Sequence, residues 1–219
     1  MLMPNSMSFD ELNALQATKH PRAMPYSKYF GEMHISTEQK KARISFAEDF
    51  EEKAFELIAL AYTVLQFGGD MSSVQLLAES MMLAAINAVS QADSYLTLHA
   101  VSFAQNFIDV TIAHADDPYY FSEDRSRVIA ENEANIIHNH LDNEDAIRDG
   151  YRFKRWDAIV DDKTREDHLD VNGAVVPIDE PFIVGGYEMM YPGDESLGAG
   201  PEEIINCRCS VEYLMTEDE

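Results

Sequence analysis

From Ser36 to Gly150, apolar residues recur every three or four positions, the period that lines one face of a helix. Ile44, Phe46, Phe50, Ala54, Phe55, Leu57, Ile58, Ala61, Tyr62 and Leu65 predict one long helix. The capping box Ser36-Thr-Glu-Gln39 opens it, and Gly68-Gly69 stops it. Ser72-Ser-Val-Gln75 has the same form and predicts a restart, carried through Leu76, Leu77, Met81, Leu83, Ala84 and Ile86 toward Val89. A break is expected between Gln91 and Ser94. The next helix carries Leu96, Val101, Phe103, Phe107, Val110 and Ile112 as far as Asp116-Asp117-Pro118. A last one carries Val128, Ile129, Ala134, Ile136, Ile137 and Leu141. The Met and Phe stripes of these helices read as bundle core.

Both ends depart from this pattern. Residues 1–35 are irregular, with a capping box at Ser8-Phe-Asp-Glu11 that predicts a short helix before Pro21 and Pro25 break it. The stretch His20 to Met33 carries Tyr26, Tyr29, Phe30 and Met33, too apolar for a solvated tail. It reads either as an arm folded onto its own domain or as one docked on another subunit. After Gly150 the period becomes two. Tyr151-Arg-Phe-Lys-Arg-Trp156 predicts a strand, Asn172-Gly173 a hairpin turn, and Cys209-Ser-Val-Glu-Tyr-Leu214 a last strand. Pro177, Pro181, Pro192 and Pro201 punctuate glycine-rich loops between them. The expected fold class is α+β, a mostly helical N-terminal region followed by a small β-rich C-terminal domain. The expected division is an arm over 1–35, a helical domain over 36–150, a small α+β module over 151–215 and an acidic tail over 216–219.

Composition adds limits. Of 219 residues, 46% are apolar, enough for a packed core. Sixteen basic against forty acidic residues give a net charge of −24. A broad phosphate-binding face is therefore excluded, and no sequence-specific nucleic-acid partner is expected. A small basic patch remains at Lys154 and Arg155. The segment from Met81 to Ala88 is the most apolar, and Asn87 interrupts it. Nothing approaches the roughly 18 apolar residues of a membrane span, so no membrane partner is expected. The opening MLMPNSMSFDEL has no basic stretch followed by an apolar run, so no signal peptide is expected. Two cysteines one residue apart, Cys207 and Cys209, do not make a disulfide framework and suggest a reducing, intracellular origin.

The densest polar constellation runs from Trp156 through Asp161, Asp162, Thr164 and Arg165 to His168. It continues at Asn172-Gly173, Tyr191-Pro-Gly-Asp194 and Asn206-Cys207-Arg208-Cys209. Trp156 is expected to anchor the small domain's core. Asp161 or Asp162 is expected to cap the turn that Thr164 and Arg165 enter, with Arg165 paired to a carboxylate. His168, Cys207 and Cys209 meet if the last strand pairs near the hairpin. Zinc would then have three soft ligands plus a carboxylate or water. A fourth protein ligand is missing and Cys-x-Cys is narrow, so no metal and no cofactor is expected, and the cysteines read as small residues fixing a strand end. A nuclease site would use His168 with Asp161, Asp162 and Arg165, but in so acidic a chain a hydrogen-bonded supporting turn is favoured. A Cys207 nucleophile would need His168 as base, and Arg208 faces the other side of an extended chain. His138 and His140 lie two apart, cannot share a helical face, and read as solvated or core-edge.

The ordered set Trp156-Asp, Thr164-Arg165, His168, Asn172-Gly173, Pro192-Gly-Asp194 and Asn206-Cys-Arg-Cys209 resembles the Mu-F-like phage head morphogenesis family of minor head proteins. Arg127-Val-Ile-Ala-Glu-Asn-Glu133 is similar to the Arg-x-x-Ile-Ala-x-Thr-Glu helix that leads into the family's module, with Asn132 where Thr is frequent. The resemblance spans roughly the last ninety residues, the size of a small domain. It implies a virion protein made in the host cytoplasm, with a structural role in capsid assembly at or near the portal vertex. DNA packaging or delivery, the portal or major capsid protein as partner, and multiple copies per virion are further implications. It implies no catalytic residue and no enzyme. Trp156, Asp161, Asp162, Arg165, His168, Asn206, Cys207 and Cys209 are then structural motif residues. The alternatives are a packaged nuclease or effector using His168 and nearby carboxylates, and a zinc-stabilised interaction module.

Overall fold

The computed structural model describes residues 24–217. The capping box at Ser8 and the end of the acidic tail lie outside them. The fold is α+β. Helix α1 (Tyr26–Tyr29) leads into a 3-10 turn (Phe30–Glu32), followed by α2 (Thr37–Gln66), α3 (Ser72–Val89) and α4 (Ser94–Ala113). A 3-10 turn (Pro118–Phe121) then enters α5 (Glu123–Asp149). After it come β1 (Phe153–Asp157), α6 (Glu166–Asp170), β2 (Val175–Pro177), β3 (Phe182–Val184), β4 (Tyr187–Met189), α7 (Pro201–Ile204) and β5 (Ser210–Leu214). Two compact units divide the described chain: 46–130, and 24–45 together with 131–217. The long helices α2 and α5 each contribute to both. Gly150, where the hydrophobic period changes, marks the end of α5 and lies inside the second unit.

The first unit is helical. Phe50 packs edge-on against Phe103 at 5.8 Å, and Tyr62 against Phe121 at 5.2 Å. The Arg125 guanidinium lies over Phe107 at 4.8 Å and Tyr120 at 5.1 Å, so a buried cation is held by ring faces and by the Tyr120 carbonyl. Asp93 caps α4 by accepting from the Leu96 amide at 2.8 Å. The start of α3 differs from expectation. Ser72 is its first residue rather than its cap, and the Asp70 carboxylate accepts from both the Ser72 amide and hydroxyl. Val101, Val110 and Ile112, counted with the core stripe from the sequence, are exposed, as are Leu76, Leu77 and Leu98.

Helix α3 bears on the membrane reading. Among the described residues it is the helix long and apolar enough to cross a membrane by length and composition, with a mean hydropathy of 1.2. Repeated Ala and Met, with Glu79 as the lone charge, raise the average across the whole helix. One stripe of it, Val74, Ala78, Met82, Ala85 and Ile86, is buried, and Gln75 donates to Gln105 of α4 at 2.9 Å.

In the second unit the capping box of α2 closes reciprocally: the Gln39 amide donates to Ser36 Oγ, and the Ser36 amide to Gln39 Oε1. Tyr26, Tyr29, Phe30 and Met33 are buried, so the described part of the arm folds onto its own chain. The sheet is antiparallel with order β2-β1-β5, in register at Arg155↔Val175 and Trp156↔Val211. A separate hairpin pairs β3 with β4 through Gly185-Gly186, both at positive φ. The expected hairpin at Asn172-Gly173 is instead the turn between α6 and β2. There Asn172 Oδ1 accepts from the Ala158 amide, and Gly173 adopts a φ of 81°.

Two further readings are corrected here. Lys154 and Arg155 form no basic patch. Lys154 is fully buried and donates to the Met190 carbonyl at 2.8 Å against the face of the Phe182 ring, with burial lowering its pKa to about 8. Arg155 pairs with Glu212 at 3.6 Å across the strand pair. His138 and His140 are buried rather than solvated, because α5 is enclosed on nearly every side between Ala130 and His140. His140 Nδ1 is 2.8 Å from the Tyr191 hydroxyl. Burial, then the nearby Arg43 charge, depress the His138 pKa to about 4.

Two outcomes follow. The loop Tyr191-Pro-Gly-Asp194 rests on α5, with Gly193 at a φ of 88° and space for a Cβ only 2.8 Å from Ile136 Cγ1. Gly193→Ala should cost roughly 2 kcal/mol in urea unfolding, from left-handed backbone and overpacking together. His138 stays neutral when folded but charges near pH 6.5 when unfolded, so the unfolded state binds the extra proton. The stability held by its neutral form is complete above about pH 6.5. It is lost as pH falls toward the folded value of about 4. His138→Gln should flatten the stability-pH curve in that window, by up to roughly 3 kcal/mol across it.

Candidate functional site

Three of the motif residues converge in the second unit. His168, in the short helix α6, is buried, as are Cys207 and Cys209 just before β5. His168 Nδ1 lies 3.3 Å from Cys209 Sγ and 3.5 Å from Cys207 Sγ. Its ligand atom and the two sulfurs all fall within 4.8 Å of one another. Residues two apart on extended chain share a face, which brings both thiols to His168 and turns Arg208 away. Trp156 is fully buried and meets His168 edge-on at 5.7 Å and Phe182 at 5.3 Å, so it forms the floor of the cluster. A small cleft lined by Ile159, Lys163, Thr164, Arg165 and Asn206 opens onto the three residues.

The other face of His168 holds a residue the motif reading missed. Nε2 is 2.8 Å from Glu203 Oε2, and Glu203 is itself buried. The one-turn helix α7, begun by Pro201, delivers this carboxylate, and Gly185 of the hairpin lies against it. A Cβ at Gly185 would fall 2.5 Å from Glu203 Oε1, so any other residue there would push this carboxylate aside, and the φ of 58° favours glycine as well.

The Cys-x-Cys segment is held from beneath by α5. Asn135 Nδ2 donates to the Cys207 carbonyl at 2.9 Å and the Cys209 carbonyl at 3.3 Å. Asn139 Nδ2 donates to the Pro192 carbonyl at 2.9 Å and to the Cys209 carbonyl at 3.3 Å. The two amide oxygens accept from Arg43, through Nε to Asn135 and Nη2 to Asn139, and Nη2 also meets Asp142 at 2.8 Å. Asn132 Oδ1 accepts from the Asn206 amide at 2.7 Å, at the turn where Asn206 takes a φ of 58°. Asn132, Asn135 and Asn139 recur at helical spacing, and this polar stripe is the signal that could have revealed the clamp. Asn132 stands where Thr is frequent in the resembling family helix, and a Thr hydroxyl offers the same kind of acceptor.

The polar residues of the 156–168 segment are distributed differently from expectation. Asp161 caps its turn, accepting from the Lys163 amide at 3.0 Å and the Thr164 hydroxyl at 3.1 Å. Arg208 Nη2 donates to both Asp161 oxygens, at 2.6 and 2.7 Å. Arg208 also reaches Glu32 at 3.3 Å. Arg165 donates to the Ile205 carbonyl. Asp162 is exposed, outside these contacts. Of the residues grouped with His168, Arg165 lines the same cleft, while Asp161 is held by Arg208 and Glu203 is the carboxylate at His168.

Electrostatics follow this geometry. The hydrogen bond from Arg208, with the turn amide and hydroxyl, draws the Asp161 pKa down to about 2. Burial opposes a charged His168, but the Cys207 sulfur and Glu203 outweigh it and raise its pKa. The Cys207 thiol is held well below its usual value by the Cys209 thiol and then by His168, against burial. Cys209 is pushed up by its neighbour Cys207 and by burial.

Residues 95–212, more than half of the chain, match the family described as Phage Mu protein F like protein. The chain belongs to this family. The family is one of phage head morphogenesis proteins. The matched residues of this Mu-F-like protein run from α4 through β5 and include the whole Asn135–Asn139 clamp and the His168 cluster. A stretch of 58 residues is 34% identical to part of NAD(+)--arginine ADP-ribosyltransferase EFV of Enterococcus faecalis (strain ATCC 700802 / V583). That stretch is 26% of this chain and 11% of the relative, so the chain spans only about a tenth of that protein's length. No solved structure matches.

Asn135→Ala in the Mu-F-like protein would leave the Cys207 carbonyl and Arg43 Nε without their closest buried partner. The expected loss is roughly 2–3 kcal/mol in urea unfolding, above the usual cost of one neutral hydrogen bond.

Proposed function

We propose that this chain is a minor head protein that acts at or near the portal vertex, present in a few copies per virion and bound to the portal protein or the major capsid protein. The observation that carries the proposal is family membership across residues 95–212. The net charge of −24 supports it, because a surface of that sign stays clear of packed DNA while it lies beside it. Such a position gives the protein a part in packaging or delivery without a DNA-binding face. In the second unit, Asp161, Arg208, Asn135, Asn139 and Arg43 are spent on one another and on backbone carbonyls, which suits a structural module. In the first unit, Leu76, Leu77, Leu98, Val101 and Ile112 are exposed and supply apolar contact for the portal or capsid partner.

A packaged effector is the competing reading. The similarity to an ADP-ribosyltransferase covers 26% of this chain, and the activity named there belongs to that protein. The nuclease version loses its grouping, since Asp161 is bound to Arg208.

Affinity capture of the portal protein from infected cells, followed by mass spectrometry of purified heads, tests the proposal. The chain should co-purify with the portal and persist in heads at a few copies. Absence from both would overturn it.

A further inference from the structure

We infer that His168, Cys207 and Cys209 form a zinc site that ties α6 to the start of β5, with its fourth position turned to the cleft beside Thr164, Arg165 and Asn206. Geometry carries the inference. A tetrahedral zinc with bonds of about 2.3 Å to sulfur and 2.0 Å to nitrogen sets neighbouring nitrogen and sulfur atoms roughly 3.5 Å apart. His168 Nδ1 stands 3.3 and 3.5 Å from the two sulfurs, and all three atoms lie within 4.8 Å of one another. The two nitrogen–sulfur separations match the edges of a coordination tetrahedron.

The surroundings fit the same ion. A zinc-bound imidazole ordinarily gives its other N–H to a carboxylate, which fixes the tautomer and the ring. Glu203 Oε2 sits 2.8 Å from Nε2, leaving Nδ1 as the ligand atom. Glu203 is buried and lies against Gly185. Charge closes as well: two thiolates neutralise one Zn²⁺, with the two thiol protons released to solvent. Three protein ligands leave one place, and the cleft supplies room for a water there. The narrow Cys-x-Cys spacing argued against zinc from sequence. Asn135 and Asn139 remove that objection, because they anchor both cysteine carbonyls on α5 while the two sulfurs meet His168 together.

The test uses the full chain, purified under reduction without chelator. Elemental analysis should give about one zinc per chain, falling below a tenth of that in Cys207→Ser and Cys209→Ser. Cobalt added to the chelator-stripped wild type should give a thiolate-to-cobalt charge-transfer band and the intense visible bands of tetrahedral coordination. This readout does not depend on a variant folding. Glu203→Gln should keep the cobalt band but weaken zinc affinity about 10- to 100-fold. Fully reduced wild type that carries no stoichiometric zinc and gives no charge-transfer band with cobalt would overturn the site.

Discussion

The buried guanidinium of Arg43 sets the architecture of the second unit. It contributes from α2 to the two amide oxygens of Asn135 and Asn139 on α5. With its oxygen so engaged, each asparagine must point its NH₂ toward the C-terminal segment, where the carbonyls of Cys207, Cys209 and Pro192 receive it. A charge removed from water is costly unless its hydrogen bonds are filled, and here the asparagines and Asp142 fill them. The same bonds orient two amides that read as ambiguous in isolation. Register in β5, the position of the Pro192-Gly193 loop and the direction of both cysteine side chains all follow.

This explains why so polar a helix can be buried. Between Glu131 and Asn143, α5 encloses Glu131, Glu133, Asn135, His138, Asn139, His140 and Asn143. A leucine at Asn135 or Asn139 would pack there but would leave strand-end carbonyls without donors. The helix works as a hydrogen-bonding spine, and the small module, with its short strands, relies on it more than on sheet size. Trp156 and Phe182 supply the apolar share, with the Lys154 ammonium against the face of Phe182.

The helices were legible in the sequence because their period and caps are local properties. The reciprocal bonds of Ser36 and Gln39 were readable from four residues. The strands at Phe153 and Ser210 were readable from alternation. The hairpin was misplaced because Asn-Gly signals a turn without saying what flanks it, while Gly185-Gly186 made the actual hairpin. At the site, His168, Cys207 and Cys209 were legible as residue types. Their partners were not, because pairing depends on distances across the chain: Glu203 is 35 residues from His168, and Arg208 is 47 from Asp161. Arg165 and Arg208 offer the same chemistry to Asp161, and only the fold decides between them. The exposed face of α4 was likewise invisible to periodicity, since an apolar stripe does not state whether a neighbour covers it.

The claim on which this account rests is that the α5 asparagines hold the C-terminal segment in place. Amide hydrogen exchange in Asn139→Leu tests it most directly. The account predicts faster exchange through β5 and the Cys-x-Cys segment together, with α3 and α4 as protected as in the wild type. Unchanged protection of β5, or an equal loss across the whole chain, would contradict it.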